Sequence, residues 1–106
     1  SRAAQLGSPN RYVDYAASKA ALDALTIGLA KEVALEKIRV NGVRPGIVHT
    51  TIHDKNGGDA MLQVGSQSIP MQRIADPEEI AEAIVWLLSD ASSYMTGSFL
   101  DVAGGR

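Results

Sequence analysis

The pattern of apolar and polar positions predicts one long helix in the first third of the chain. Residues 12–37 contain no proline and are rich in Ala, Leu, Lys and Glu, which lose little conformational freedom in a helix. At about 100° per residue, one side of this helix carries an apolar stripe, and two polar groups extend that stripe. Its members are Tyr15, Lys19, Leu22, Thr26, Leu29 and Val33. The opposite side carries mainly Ala and Gly, so both sides are suited to burial. The second side therefore predicts contact with a partner subunit or with another part of the same fold.

Two strands and a second helix follow this first helix. Residues 38–43 are predicted as a strand that stops at Arg44-Pro45-Gly46, because proline lacks the ladder donor. Asp76-Pro77-Glu78-Glu79 predicts a helix start with a capping box, and residues 98–102 form a predicted last strand. This alternation indicates an α/β fold with a parallel sheet. The polar segment 51–72 is a long loop with a possible short helix at residues 60–62, and loops of this length are usually functional or disordered.

Composition and charge exclude several classes of function. The net charge of -2 and the scattered Lys and Arg residues give no basic surface, so nucleic acid is not an expected partner. Without cysteine there is no disulfide or thiolate chemistry, and His49 and His53 alone do not indicate a metal site. No apolar run approaches the ~20 residues that span a bilayer, and the first five residues lack a signal-peptide pattern. We expect a soluble, cytoplasmic protein with no membrane association.

One pair of side chains on the long helix is suited to proton transfer. Tyr15 and Lys19 stand at positions i and i+4, so their Cβ atoms lie roughly 6 Å apart on one helical face. A fixed neighbouring cation favours the phenolate form of tyrosine, which suits Tyr15 to exchange a proton with a carbonyl or alcohol oxygen. Such pairs also arise by chance on helix surfaces, so the spacing alone leaves a plain surface pair as the alternative.

The motifs around this pair resemble the short-chain dehydrogenase/reductase family. Tyr15-Ala-Ala-Ser-Lys19 is followed by the segment from Arg39-Val-Asn41 to Pro45-Gly-Ile-Val-His-Thr50. The tail then carries Asp76-Pro-Glu-Glu-Ile-Ala and ends on Asp101-Val-Ala-Gly-Gly105. The resemblance covers essentially the whole chain and implies the C-terminal part of a Rossmann-like, doubly wound parallel sheet with three α/β/α layers. Residues 1–106 then form the C-terminal catalytic half of one domain, and the N-terminal dinucleotide-binding half is absent from this sequence.

The resemblance implies a role for each matching residue, with NAD or NADP as cofactor. Tyr15 is the general acid/base, and Lys19 assists the tyrosine and holds the ribose hydroxyls of the nicotinamide half. Ser1 matches the active-site serine, although its interval to Tyr15 is one residue longer than is commonest in the family, and Ser8 is the rival by residue type. The cofactor-binding positions carried over are Tyr15, Lys19, Pro45, Gly46, Ile47 and Thr50.

The implied activity interconverts an alcohol and a carbonyl compound of small size. The strings around Tyr15 and at residues 69–73 look most like glucose or ribitol dehydrogenases and 3-oxoacyl carrier-protein reductases, so sugars, polyols and 3-oxoacyl compounds are the expected substrates. A sugar-nucleotide epimerase of the extended branch and a non-catalytic binding or regulatory protein remain as alternatives. Because members of that family commonly form oligomers, the resemblance also implies a homo-tetramer or homo-dimer. Four apolar side chains of the long loop either line a substrate pocket or pin the loop to the core: Met61, Leu62, Ile69 and Met71.

Overall fold

The computed structural model describes residues 1–50 and 66–106, which contain three helices and two strands. The helices are α1 (Ala3–Leu6), α2 (Val13–Val33) and α3 (Pro77–Leu88), and the strands are β1 (Gly42–Pro45) and β2 (Phe99–Val102). Single 3-10 turns follow α2 at Ala34–Glu36 and α3 at Asp90–Ser92. The long helix, the second helix and the last strand were predicted from the sequence. The four-residue helix α1 and the two 3-10 turns were not.

The two strands pair in parallel, and α3 crosses between them, so the sheet has helices on both faces. The register pairs Gly42 with Phe99 and Arg44 with Asp101. Successive side chains of a strand point to opposite faces. Val43 lines a cavity with Ile84 and Leu87 of α3, whereas its neighbour Arg44 bonds a side chain of α2. Helices α2 and α3 therefore cover opposite faces, which confirms the predicted α/β class with three layers.

The predicted start of β1 was wrong by four residues. Residues 38–41 lie outside the sheet ladder because side chains occupy the backbone groups around them. Val40 donates its N–H to the Thr96 hydroxyl at 3.2 Å, and Asn41 accepts from the Ser98 N–H at 3.1 Å. The predicted end at residue 43 was also two residues early, since Pro45 is the last residue of β1.

Pro45 fits inside the strand because its missing N–H lies on the edge away from β2. Gly42 and Gly46 donate to β2 at Ser98 and Val102, each at 2.9 Å. The backbone groups of the alternate residues Val43 and Pro45 face the other edge, where the Pro45 carbonyl accepts from the Arg2 N–H at 3.4 Å. Proline is tolerated at such positions of a strand.

Helix α2 leaves most of its apolar surface uncovered by the described residues. Ala16 and Ala30 are its buried residues, whereas Leu22 is 51% and Leu25 61% exposed. The buried apolar residues of the described chain are few: Ala16, Ala30, Ile69, Ile80, Leu87 and Ala103. The sequence-based expectation that α2 needs a second covering surface is consistent with this exposure.

Several predictions fall on residues 51–65 and so lie outside the described residues. They concern the short helix at residues 60–62, the pocket-lining roles of Met61 and Leu62, and His53. Within the described ranges, no helix has the length and hydropathy needed to cross a membrane. The same part of the chain holds no group of three or more His, Cys, Asp or Glu side chains arranged to bind a metal ion.

Candidate active site

Tyr15 and Lys19 form a cation–π pair on the first two turns of α2. The Lys19 ammonium lies 5.3 Å from the centroid of the Tyr15 ring, inside the ~6 Å range in which a cation is attracted to an aromatic face. The Tyr15 side chain is 45% exposed and Lys19 is half-buried. Within residues 1–50 and 66–106, no carboxylate pairs with the Lys19 ammonium. Its positive charge is therefore directed at Tyr15.

Ser1 precedes α1 and lies near the end of β1. The Ser1 hydroxyl accepts the Ala3 N–H at 3.1 Å. The next residue, Arg2, donates its N–H to the Pro45 carbonyl at 3.4 Å, which places Ser1 next to the end of β1.

Ser8 occupies a turn that joins α1 to α2. Its φ is +43°, and its carbonyl accepts the N–H groups of Arg11 and Tyr12. This backbone role is that of an ordinary turn serine. The assignment of the active-site serine to Ser1, with Ser8 as the rival, stays a prediction.

The loop after β1 is held against the end of β2 and against residue 75. A Cβ at Gly46 would stand 2.8 Å from the Ala103 Cα, so the two backbones approach more closely than any side chain allows. Ala75 donates to the Ile47 carbonyl at 3.0 Å and accepts from the His49 N–H at 2.9 Å. Within the described ranges the Ile47 N–H has no acceptor, while Thr50 is half-buried and His49 exposed. Two hydrogen bonds to Ala75 therefore hold this loop, and its Ile47 N–H makes no bond to the described residues.

A small cavity opens beside this loop at the carboxyl ends of both strands. Ile69 is buried there and Met71 is 60% exposed, and both line the cavity with Ile47 and Val102. Ile69 also contacts Gly104, since a Cβ on that glycine would meet it at 2.7 Å. Both described members of the predicted pocket set line this cavity, and the choice between the two suggested roles stays open. Ligands bind at the carboxyl ends of strands in open α/β sheets.

A charged cluster between α2 and the sheet was missed at the sequence level. Arg44 donates to Asp23 from Nε at 3.0 Å and from Nη2 at 2.8 Å. Asp101 accepts from Arg2 at 2.8 Å and lies 3.6 Å from Arg44. The only sequence signal was the placement of Asp23 four residues after Lys19, which puts it on the same helical face.

Two motif residues prove structural rather than functional. The Arg39 guanidinium donates to the carbonyls of Leu87 and Ser89 at the end of α3, and also to Ser92 and Met95. Asn41 was read from sequence as structural, and it donates to the Met95 carbonyl at 2.8 Å. The "Arg-Val-Asn" part of the motif therefore fastens the end of α3 to the entry of β1.

The residues around Tyr15 suit a nicotinamide dinucleotide by their chemistry. A ribose hydroxyl needs a donor such as the Lys19 ammonium, and a carboxamide needs a backbone donor such as the free Ile47 N–H. These donors fit the cofactor that the motifs imply.

A family model and individual relatives all place this chain in the same protein family. A family model described as enoyl-(acyl carrier protein) reductase matches residues 1–106. The uncharacterized oxidoreductase YgfF of Escherichia coli (strain K12) is 57% identical over 104 residues, which cover 98% of this chain and 42% of that protein. The 3-oxoacyl-(acyl-carrier-protein) reductase FabG of Chlamydia trachomatis serovar D is 41% identical over 99 residues, or 93% of this chain and 39% of FabG. The chain spans about two-fifths of the length of these curated relatives.

Solved structures give the same result. The glucose/ribitol dehydrogenase of Brucella melitensis matches with a TM-score of 0.87 at 36% identity, over 97% of this chain and 41% of that one. An NADPH-bound short-chain oxidoreductase of Pseudomonas aeruginosa PAO1, described as having an atypical catalytic centre, matches with a TM-score of 0.86 at 33% identity. That match covers 99% of this chain and 42% of the other. From the family model, these relatives and the three-layer fold, we conclude that the chain belongs to the short-chain dehydrogenase/reductase family of NAD(P)-dependent oxidoreductases.

Proposed function

We propose that this chain forms the catalytic half of an oxidoreductase that interconverts an alcohol and a carbonyl compound with NAD or NADP. The observation that carries the proposal is the Lys19 ammonium 5.3 Å from the Tyr15 ring centroid, beside a loop whose Ile47 N–H is free among the described residues. The dinucleotide-binding half would precede this chain. That arrangement is supported by the two-fifths coverage of the relatives and by the lack of a glycine-rich turn between a strand and a helix in this sequence.

In this proposal each group of the site has one chemical task. The bound nicotinamide supplies or accepts the hydride. Tyr15 gives a proton to the carbonyl oxygen during reduction and takes it back during alcohol oxidation, and Lys19 stabilises the phenolate that remains. Ser1 donates a hydrogen bond to the reacting oxygen. Lys19 and Tyr15 also hold the ribose hydroxyls.

The loop after β1 would orient the nicotinamide ring. Pro45 and Gly46 carry the chain away from the sheet, and the Ile47 N–H would bind the carboxamide oxygen. The Thr50 hydroxyl would assist at the same group. The two hydrogen bonds between this loop and Ala75 support the assignment, because they hold the Ile47 backbone in one position.

Sugars, polyols and 3-oxoacyl compounds are the substrate classes that we propose. The glucose/ribitol dehydrogenase and 3-oxoacyl reductase among the relatives support both classes. The cavity beside Ile47 is lined by Ile69, Met71 and Val102, which suits the apolar part of an acyl or polyol chain. The Tyr15–Lys19 pair disfavours a non-catalytic role, and the loop 45–50 disfavours an extended-branch epimerase.

The proposal includes a homo-tetramer or homo-dimer in the cytoplasm. The uncovered apolar side chains of α2, such as Leu25 at 61% exposure, support a further protein surface against this helix. The chain contains no cysteine, so it does not depend on an oxidising compartment. Sedimentation of the full-length protein measures its oligomeric state.

Substitution of Tyr15 in the full-length protein tests the function. We expect Tyr15→Phe to lower kcat by roughly 10²–10⁴-fold, since the proton donor and acceptor is lost. NADPH and NADH consumption is followed with a panel of sugar, polyol and 3-oxoacyl substrates. Lys19→Met should lower kcat and also weaken cofactor binding.

The neighbouring tyrosine provides a matched control. Tyr12 is 59% exposed and stands just before α2, so Tyr12→Phe removes the same hydroxyl outside the site. Its kcat should stay within about twofold of the wild type. A Tyr15→Phe protein that turns over as fast as Tyr12→Phe would contradict the proposal.

A further inference from the structure

Asp23 stands where it can compete for the charge of the proposed catalytic lysine. Tyr15, Lys19 and Asp23 follow one another at four-residue intervals on α2, so all three lie along one helical face. An unpaired carboxylate at position 23 is within reach of the Lys19 ammonium and would neutralise its effect on Tyr15. In the structure, Asp23 is bound instead by Arg44.

The ion pair between Arg44 and Asp23 is a strong type of charge-assisted hydrogen bond. Two N–H groups of the guanidinium, on Nε and Nη2, donate to the same Oδ2 atom. The side chains are 13% and 22% exposed, so water competes weakly for either partner. A charge-assisted pair of this geometry is more favourable than a single ammonium contact.

Arg44 is itself fixed from the side of the sheet. Its guanidinium carbon lies 3.9 Å from the centroid of the Phe99 ring, and Nη1 lies 3.6 Å from Asp101. The Phe99 ring in turn occupies the space over Gly42, where a Cβ would approach it to 2.6 Å. Arg44 therefore cannot follow Asp23 toward Lys19.

We propose that Arg44 is a positioning residue that holds Asp23 away from Lys19, so that the positive charge of Lys19 remains directed at Tyr15. The inference rests on the proposed function in assigning the phenol of Tyr15 to catalysis. It adds a specific electrostatic task to a strand residue that is not among the proposed catalytic and cofactor-binding residues. Removal of Arg44 releases Asp23, which pairs with Lys19 and disfavours the Tyr15 phenolate.

The charged groups around this helical face come from every element packed on it. Asp23 and Lys19 lie on α2, Arg44 on β1 and Asp101 on β2, while Arg2 comes from the segment before α1. If each charge acts on Tyr15 only directly, the effects of removing two of these charges should add. The effect of Asp23 should not add to that of Arg44, because Asp23 can pair with Lys19 only when Arg44 is absent. A double-mutant cycle separates the two cases.

The test is a pH titration of phenolate absorbance in the full-length protein without cofactor. The signal of Tyr15 is isolated by subtracting the titration of Tyr15→Phe. We expect Arg44→Met to raise the midpoint of this signal by about 0.5–1 pH unit, as expected when an opposite charge is withdrawn from a titrating group. Adding Asp23→Asn to Arg44→Met should return the midpoint to within about 0.2 unit of the wild type, whereas Asp23→Asn alone should shift it by no more than that.

Arg2→Met is the matched control, since it removes another guanidinium of the same cluster and leaves the Arg44–Asp23 pair intact. Its midpoint should stay within about 0.2 unit of the wild type. Equal shifts in Arg2→Met and Arg44→Met, or failure of Asp23→Asn to restore the midpoint, would overturn the proposal. If circular dichroism shows that Arg44→Met does not fold, Arg44→Lys replaces it. We expect a smaller upward shift of the Tyr15 midpoint in Arg44→Lys, which Asp23→Asn again cancels. The absence of any shift in Arg44→Lys would also overturn the proposal. The titration is read without turnover, so its outcome is independent of whether Tyr15→Phe abolishes activity.

Discussion

Gly46 is required by the close approach of two backbones at the active-site edge of the sheet. A Cβ at this position would lie 2.8 Å from the Cα and 2.9 Å from the Cβ of Ala103. Ala103 is buried and directly follows β2, so neither backbone has space to retreat. The same glycine starts the loop that is proposed to hold the nicotinamide. A side chain at this residue would therefore lower stability and, on the proposed function, would also weaken cofactor binding.

We expect Gly46→Ala to destabilise the full-length protein by roughly 1–3 kcal/mol, the usual range for overpacking. Chemical denaturation measures this cost, and the KM for NAD or NADP should rise with it. Gly28→Ala is the comparison, because none of the described residues lies within 4 Å of a Cβ on that helical glycine. It should cost less stability than Gly46→Ala. Equal stability of the two variants would argue against the close approach.

Arg39 acts as a side-chain cap for the carboxyl end of α3. Its Nη2 donates to the carbonyls of Leu87 and Ser89, at 2.9 and 3.3 Å. Its Nη1 donates to Ser92 and Met95 farther along the chain. One guanidinium thus satisfies carbonyls that the helix leaves without an intrahelical partner, and cations are favoured at this end of a helix.

We expect Arg39→Lys to destabilise the protein by about 2–3 kcal/mol, because one ammonium cannot reach all of these carbonyls. The loss is measured by urea unfolding. Arg11 is exposed, and its side chain makes no bond to the described residues, so Arg11→Lys is the control and should change stability by less than about 0.5 kcal/mol. An Arg39→Lys protein as stable as this control would contradict the capping role.

The start of α3 is fixed by local contacts of Glu79. Its side chain accepts the Asp76 N–H at 2.9 Å and pairs with Arg73. The hydrogen bond from Arg73, with the Asp76 N–H second, lowers the pKa of Glu79 from 4.5 to about 2. A carboxylate with a lowered pKa stabilises the folded state at pH values above its unfolded value. That contribution is lost as the pH falls from about 4.5 toward 2.

Glu79→Gln should therefore make the stability of the protein depend less on pH in the acidic range. Compared with wild type, the variant should have a lower Tm at pH 7, and this difference should shrink as the pH falls toward about 2. Thermal unfolding across this pH range measures the effect. Glu78→Gln is the control, since Glu78 forms no ion pair with any described residue, and its profile should follow the wild type. A constant difference between Glu79→Gln and wild type at every pH would contradict the linkage.

The elements that the sequence predicted correctly are those decided by near neighbours. The start of α3 follows from Asp76, Pro77 and Glu79, which lie within four residues. The Tyr15–Lys19 pair follows from one helical turn, so the central pair of the site could be predicted as well. The start of β1 could not, because it depends on bonds from residues 39–41 to groups more than 45 residues away. The Arg44–Asp23 pair and the Arg2–Asp101 pair depend on the packing of α2 against the sheet, which no local pattern specifies.

At the scale of the whole molecule, the described residues make an open structure. The radius of gyration is 15.3 Å, whereas about 13 Å is usual for a compact domain of 100 residues. The two-stranded sheet has a second edge, where Pro45 meets Arg2 and no further strand of the described chain pairs with it. Large apolar side chains of α2 remain exposed on the same molecule. The proposed dinucleotide-binding half would extend the sheet at that edge and cover this helix.

The 106-residue chain by itself should consequently fail to bind a dinucleotide. It contributes Lys19 and the Ile47 N–H toward the nicotinamide half, but its sequence has no glycine-rich turn between a strand and a helix to receive the pyrophosphate. We expect no saturable change in NADH or NADPH fluorescence with the isolated chain at cofactor concentrations up to about 1 mM, which limits any binding free energy to weaker than roughly -4 kcal/mol. The NADPH-bound Pseudomonas aeruginosa oxidoreductase is the positive control for the assay. Saturable binding by the isolated chain would mean that the groups beside β1 hold the cofactor without a second half. It would contradict the proposal that a separate half of the full-length enzyme binds the dinucleotide.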